Sequence, residues 1–163
     1  MNIFYLDPDP EVAARYHCDK HCVKMILESA QLLSTAHRVL DGDEFADEQG
    51  IYKAFSPNHP SAIWTRESCE NYDYVWDLTY YLCKEFTKRY TGVHGVQKNN
   101  VLTGLAIYPH NLLMKSFTPP PQCMPDEYKV EGDPVQAYKN YYHGEKAYFA
   151  EWRLGAPLWW KGE

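Results

Sequence analysis

His17-Cys18-Asp19-Lys20-His21-Cys22-Val23-Lys24-Met25-Ile26-Leu27-Glu28-Ser29-Ala30-Gln31-Leu32-Leu33 reads as part of one long helix that runs on to Leu40. Its apolar positions, among them Cys22, Val23, Met25, Ile26, Leu27, Ala30, Leu32 and Leu33, cover far more than the roughly 100° stripe of a surface helix. A helix of this kind is surrounded by protein on most sides. Against that background His17, His21, Lys24, Glu28, Gln31, Thr35 and Arg38 recur at spacings of three or four and fall on one line. A polar line so narrow on so apolar a helix marks either a solvated seam or the wall of a cleft.

Toward the N-terminus, Met1 to Leu6 is a short apolar run, read as one strand or a buried extended tail. Asp9 as N-cap and Pro10 at N1 start the long helix, because the Asp side chain accepts from the first free N–H groups and Pro lacks a donor there. A bend is expected near Asp19, and Asp41-Gly42 ends the helix. Asp41 to Gly50 reads as a solvated acidic loop with one helical turn near Phe45. Asn58-His59-Pro60 repeats the cap and opens a second long helix, from Pro60 to Tyr90, whose apolar and aromatic residues keep a 3.6 period. Val96 to Ala106 is a weaker helix, interrupted by Gly104. Four prolines between Pro119 and Pro125 make Phe117 to Gly132 an extended segment with few backbone donors. Asp133-Pro134 caps a last helix to about Leu154. The expected fold is mainly α, one compact helical domain over residues 1–163, with a short N-terminal extended segment and a Pro-rich extended segment before the last helix.

A chain of 163 residues buries about 70% of its unfolded surface and needs no staples. Five cysteines, an odd number, fit free thiols better than a disulfide framework. The N-terminus has no basic region followed by an apolar one, and no apolar run approaches membrane-spanning length. A cytoplasmic protein with no membrane contact is expected. Net charge is −6, but five acids and no base lie between Asp41 and Gly50, so the rest of the chain carries only −1. A local basic face is compatible with that balance. Aromatic residues reach 15%, with 14 Tyr and 5 Trp, which serve cores and also stacking surfaces for bases.

Four groups of residues carry candidate chemistry. His17-Cys18-x-x-His21-Cys22 holds four metal-ligand types, with His17 and His21 on one face. The cysteines lie roughly 100° round from the histidines, so packed thiols and satisfied imidazoles are the preferred reading, and no metal or other cofactor is assigned. Lys24 and Glu28 at i, i+4 are either a weak surface pair or, in a cleft with His21 and Gln31, a carboxylate suited to general acid or base work. Asn58 and His59, followed by Trp64 and Arg66, are either a plain cap or an anion-attracting turn. Tyr138-Lys139-Asn140-Tyr141-Tyr142 mixes rings and bases as a base-stacking, phosphate-neutralising surface does, although tyrosines at helical spacing also build cores.

Together these stretches resemble the small helical pyrimidine-dimer DNA glycosylases of the phage endonuclease V type, with their bacterial relatives and a group of uncharacterised phage proteins. The relatives carry Asp-Lys-Arg-Leu-Gly-Lys-Gln-Arg-Val-Glu, then Gln, and later Asn-His-Pro-x-x-x-x-Trp. Asp19-Lys20, Lys24, Glu28 and Gln31 match the first pattern, and Asn58-His59-Pro60 with Trp64 matches the second within one residue. Tyr138-Lys139-x-Tyr141-Tyr142-x-Gly144-x-Lys146-Ala147 is similar to the aromatic and basic C-terminal segment of the phage enzyme. The resemblance implies a DNA base-excision enzyme of a phage, working in the host cytoplasm on damaged or modified bases. It makes Glu28 the catalytic carboxylate with Lys24 and His21 as its polar neighbours. Substrate contacts would come from His17, Lys20, Gln31, Asn58, His59, Trp64, Arg66, Tyr138, Lys139, Tyr141 and Tyr142. In that family an N-terminal amine attacks the sugar and the target base or its partner is flipped out. This chain departs from it in having Asn2 after Met1, and lysines and histidines where the family has arginines around the carboxylate. The alternative reading is a non-catalytic phage module that binds a nucleotide, nucleic acid or host protein in the same cleft.

Overall fold

The computed structural model describes residues 2–162, and the fold is mainly α. In chain order the helices are α1 (Pro10–Tyr16), α2 (Asp19–Asp41), α3 (Glu44–Glu48), α4 (Pro60–Thr65), α5 (Cys69–Tyr90), α6 (Gly95–Lys98), α7 (Val101–Leu105) and α8 (Pro134–Tyr141). A single 3-10 turn at Asp126–Tyr128 precedes α8, and a π-helical turn at Tyr142–Lys146 follows it. Among the described residues no helix is long and apolar enough to cross a membrane. All five cysteines are free thiols.

α2 and α5 form the centre. Cys22 lies opposite Leu82 and His37 opposite Tyr72, so the two helices run antiparallel. Ile26, Leu32 and Leu33 of α2 and Leu78 and Leu82 of α5 are fully buried between them. The N-terminal run is the buried tail and not a strand. Ile3, Phe4, Tyr5 and Leu6 all lie in the core.

The long first helix of the sequence reading is two helices. At His17 and Cys18 the backbone turns extended, and the carbonyls that a continuing helix would have paired are used elsewhere. The buried Arg89 guanidinium of α5 donates to the Arg15 and His17 carbonyls at 3.1 and 2.7 Å and to the Asp19 carboxylate at 3.2 Å. The Cys18 N–H donates to the Tyr142 hydroxyl, the Asp19 N–H to the Glu151 carbonyl, and the Trp152 indole to the Tyr16 carbonyl. Three distant parts of the chain therefore meet at this junction.

The second long helix is also divided. α4 ends at Thr65, and Ser68 starts α5 by accepting from the Asn71 N–H through its hydroxyl. Asn71 then holds the Pro-rich segment, accepting from Thr118 N–H and donating to Thr118 Oγ1, while the Trp64 indole donates to the Thr118 carbonyl. That segment forms no helix or strand up to Cys123, in keeping with its prolines, but the 3-10 turn at Asp126–Tyr128 interrupts it before Gly132. The weak helix is α6 plus α7, separated by Asn100 at φ +61°. The last helix stops short of Leu154 and passes into the π turn, within which Gly144 lies so close to the Tyr128 ring that no Cβ would fit between them.

The acidic stretch carries α3, the helical turn expected near Phe45, but it is more than a solvated loop. Arg38, only 4% exposed in its side chain, donates to Asp43 at 2.8 Å, Asp47 at 2.9 Å and the Tyr52 carbonyl at 2.6 Å. Arg38 at the end of the polar line is thus a structural anchor.

Candidate active site

The polar line of α2 passes from core to cleft and back to core. His17 is fully buried, and its Nδ1–H donates to the Ala13 carbonyl at 2.7 Å. Its Nε2 has no partner, and burial, the largest influence, holds its pKa down at about 4. Thr35 is buried and donates to the Gln31 carbonyl, which ties the half-buried Gln31 into helix packing. Between these ends His21, Lys24 and Glu28 open on a cleft of about 260 Å³. The line therefore faces a cleft for about two turns only.

That cleft brings together residues from five parts of the chain: Asn2 and Phe4 of the tail, His21, Lys24, Met25 and Glu28 of α2, His59, Cys123, and Tyr141 and Lys146. Glu28 is 17% exposed in its side chain and stands 3.6 Å from the Lys24 ammonium, which is 60% exposed. Phe4 forms the floor. Its ring lies 4.3 Å from the His21 ring and stacks on Tyr141 at 6.1 Å. The Lys146 ammonium sits 4.7 Å above Tyr141. Asn2 is clamped in place, donating to the Cys123 carbonyl at 2.9 Å and accepting from the Tyr138 hydroxyl at 2.9 Å.

Both histidines of the cleft are neutral near pH 7. Burial, reinforced by His17 and by the Lys146, Lys24 and Lys20 ammonium groups, drives the His21 pKa down to about 2. Burial also lowers that of His59, against an opposing pull from Glu28. Three lysines thus converge on His21, a local basic face in an acidic protein.

The remaining residues named from sequence lie outside this lining. Lys20 rests its ammonium 4.5 Å from the Phe149 ring centroid at the edge of the same face. Tyr138 and Tyr142 are fully buried and act on cleft residues through their hydroxyls, Tyr138 on Asn2 and Tyr142 on His21. Asn58 is exposed, and the cap of α4 is His59, whose Nδ1 accepts from the Ser61 N–H. Trp64 is buried, and Arg66 closes the preceding loop on the Pro57 carbonyl. Lys139 lies in a separate cleft with His143, Trp159 and Lys161, its ammonium 5.3 Å from the Trp159 ring. Asn2, Phe4, Met25, Cys123 and Lys146 are cleft residues that the site reading did not name. Lys146 lies within the aromatic and basic stretch from Tyr138 to Ala147, whereas nothing local in the sequence points Asn2 or Cys123 to Glu28.

Larger clefts exist, among them one of about 320 Å³ lined by Tyr5, Glu70, Asp73, Asp77 and Phe117. That cleft has carboxylates but no imidazole or ammonium group in its lining, and chemistry decides here over size. Among the described residues no three His, Cys, Asp or Glu side chains are grouped to hold a metal ion. Comparison of the chain with models of protein families, with curated proteins and with solved structures finds no significant match.

Proposed function

We propose that this protein acts on DNA as an N-glycosylase-like base-excision enzyme, with Glu28 as its catalytic carboxylate. The observation that carries this reading is the cleft itself: one carboxylate beside two ammonium groups and two neutral imidazoles, with the Tyr141 ring at its wall. Breaking a C1′–N bond sends the bond pair to the departing base and leaves positive charge on the sugar ring. A carboxylate held against that ring stabilises the charge, as in glycoside hydrolysis. Water adds to C1′ and gives a proton to Glu28, which passes it to the departing base, so the carboxylate is regenerated. Lys24, 3.6 Å away, orients the carboxylate, and His21 and His59 hold oxygen atoms of the substrate. Tyr141 and the basic rim at Lys20 and Lys146 supply stacking and phosphate neutralisation. The α-amine of residue 1, the nucleophile implied by the family resemblance, lies outside the described residues.

Incubation with ultraviolet-irradiated duplex DNA, with and without borohydride, tests the reading. Alkali-labile sites without a trapped adduct are expected from attack by water, and a trapped protein–DNA adduct would assign attack to an amine. Absence of both, with DNA or a nucleotide still raising the melting temperature, would replace the enzyme by a binding module.

A further inference from the structure

The fold fixes the proton position on both imidazoles of the Glu28 cleft. The Tyr142 hydroxyl oxygen, fully buried, accepts from the Cys18 N–H at 3.3 Å and lies 2.7 Å from His21 Nδ1. A phenol has one proton to give. The Cys18 thiol is also within reach of the hydroxyl, but sulfur is a weak acceptor and an imidazole nitrogen at 2.7 Å a strong one, so the hydroxyl donates to Nδ1, and the proton of the neutral ring sits on Nε2. His59 reaches the same state by another route: its Nδ1 accepts from the Ser61 N–H at 3.1 Å as the cap of α4. Both rings line the cleft, and for both the nitrogen left for a ligand is an Nε2–H.

Lys24 and Lys146 add two ammonium donors to the same wall. The cleft thus presents four donors and the Glu28 carboxylate. A nucleobase edge alternates donors and acceptors and would leave several of these donors unmatched. A carboxylate offers two oxygens. A phosphoryl group offers three or four oxygens spread over a tetrahedron and carries the charge that two ammonium groups complement. We propose that His21 and His59 are fixed hydrogen-bond donors that, with Lys24 and Lys146, hold a phosphoryl group in this cleft. The inference rests on the reading of this cleft as the substrate site, and it places the phosphate of the nucleotide whose sugar meets Glu28. The volume of about 260 Å³ admits a phosphate with its sugar and little more.

The test uses the full chain with ¹⁵N-labelled histidine and long-range proton–nitrogen spectra. Without ligand, the His21 and His59 rings are expected in the Nε2–H form. Inorganic phosphate, thymidine 5′-monophosphate and a short duplex oligonucleotide are then added in separate titrations, and phosphate or the mononucleotide is expected to move both Nε2 resonances. A shift with the oligonucleotide as well assigns the phosphoryl group to DNA, and a shift with the small probes alone assigns it to a free nucleotide. Lys146→Ala should weaken the response about tenfold, the loss of one charge-assisted contact, with the ring forms unchanged. An Nδ1–H ring at either residue, or resonances that no probe moves, overturns the proposal. Base release is measured alongside. Release without a shift would overturn this proposal and leave the enzyme reading standing, whereas a shift without release would do the reverse.

Discussion

The Tyr142 hydroxyl stands 2.7 Å from His21 Nδ1 although the two residues are 121 positions apart in the chain. The π turn after α8 is thereby joined to the first turns of α2, and the same oxygen accepts the Cys18 N–H where α1 and α2 part. Tyr142→Phe removes the hydroxyl and strands a buried acceptor and a buried donor. A loss of about 1–3 kcal/mol of stability is expected, read as a lower urea midpoint with an unchanged slope. A midpoint within error of the wild type would mean that the bond contributes nothing to the fold.

Arg89 carries a second prediction. Its guanidinium, 3% exposed, serves the carbonyls of Arg15 and His17 and the carboxylates of Asp19 and Glu85. Arg89→Met leaves two poorly solvated carboxylates and two carbonyls without that partner, so about 3–5 kcal/mol should be lost. Lys24→Met, which breaks an i, i+4 pair whose ammonium end is 60% exposed, should cost under about 0.5 kcal/mol. Equal effects of the two substitutions on chemical denaturation would contradict the role given to Arg89.

These contacts explain what the sequence could and could not tell. Three helix starts were legible because Asp9, His59 and Asp133 each cap through their own side chain before a proline. The extended Pro-rich segment was legible for a similar reason, since proline removes donors locally. At His17-Cys18 only a bend near Asp19 was legible, and the full break was not. No glycine or proline marks it, and the hydrophobic period runs straight through, because the groups that divide the helix come from Arg89, Tyr142 and Glu151. The break before α5 did carry a local sign, Ser68 placed three residues ahead of Asn71, which the continuous aromatic period masked. For the cleft, spacing on α2 grouped His21, Lys24 and Glu28, but Asn2, Cys123 and Lys146 arrive by long-range packing.

Acid should destabilise the protein above the range in which carboxylates titrate. His17 and His21 have folded pKa values of about 4 and about 2, against about 6.5 when unfolded. The unfolded chain then binds more protons below neutrality, so stability is full above pH ~6.5 and falls as pH drops toward the folded values. Between pH 7 and pH 5.5 the two histidines together should account for a loss of about 2 kcal/mol. Urea midpoints at the two pH values check this, and His17→Gln should roughly halve the difference. A midpoint that rises on acidification would contradict the neutral buried state of these rings.

Gly144 offers a steric test of the π turn. Alanine there would drive its Cβ into the Tyr128 ring, and a cost of about 1–3 kcal/mol is expected from overpacking. Tyr128→Ala in the same chain should recover part of the loss. Thermal melts of the two single variants and the double variant measure the coupling, and strict additivity would show that the ring is not the obstacle.

The central claim is that Glu28 performs chemistry in its cleft, and one comparison tests it most directly: single-turnover formation of alkali-labile sites in ultraviolet-irradiated duplex DNA by the wild type and by Glu28→Gln. Removal of a positioned acid or base costs about 10²- to 10⁴-fold in rate, so the wild type should cleave and Glu28→Gln should fall by at least that lower factor while melting at the wild-type temperature. Equal rates in the two proteins, or no sites formed by the wild type, would contradict the account.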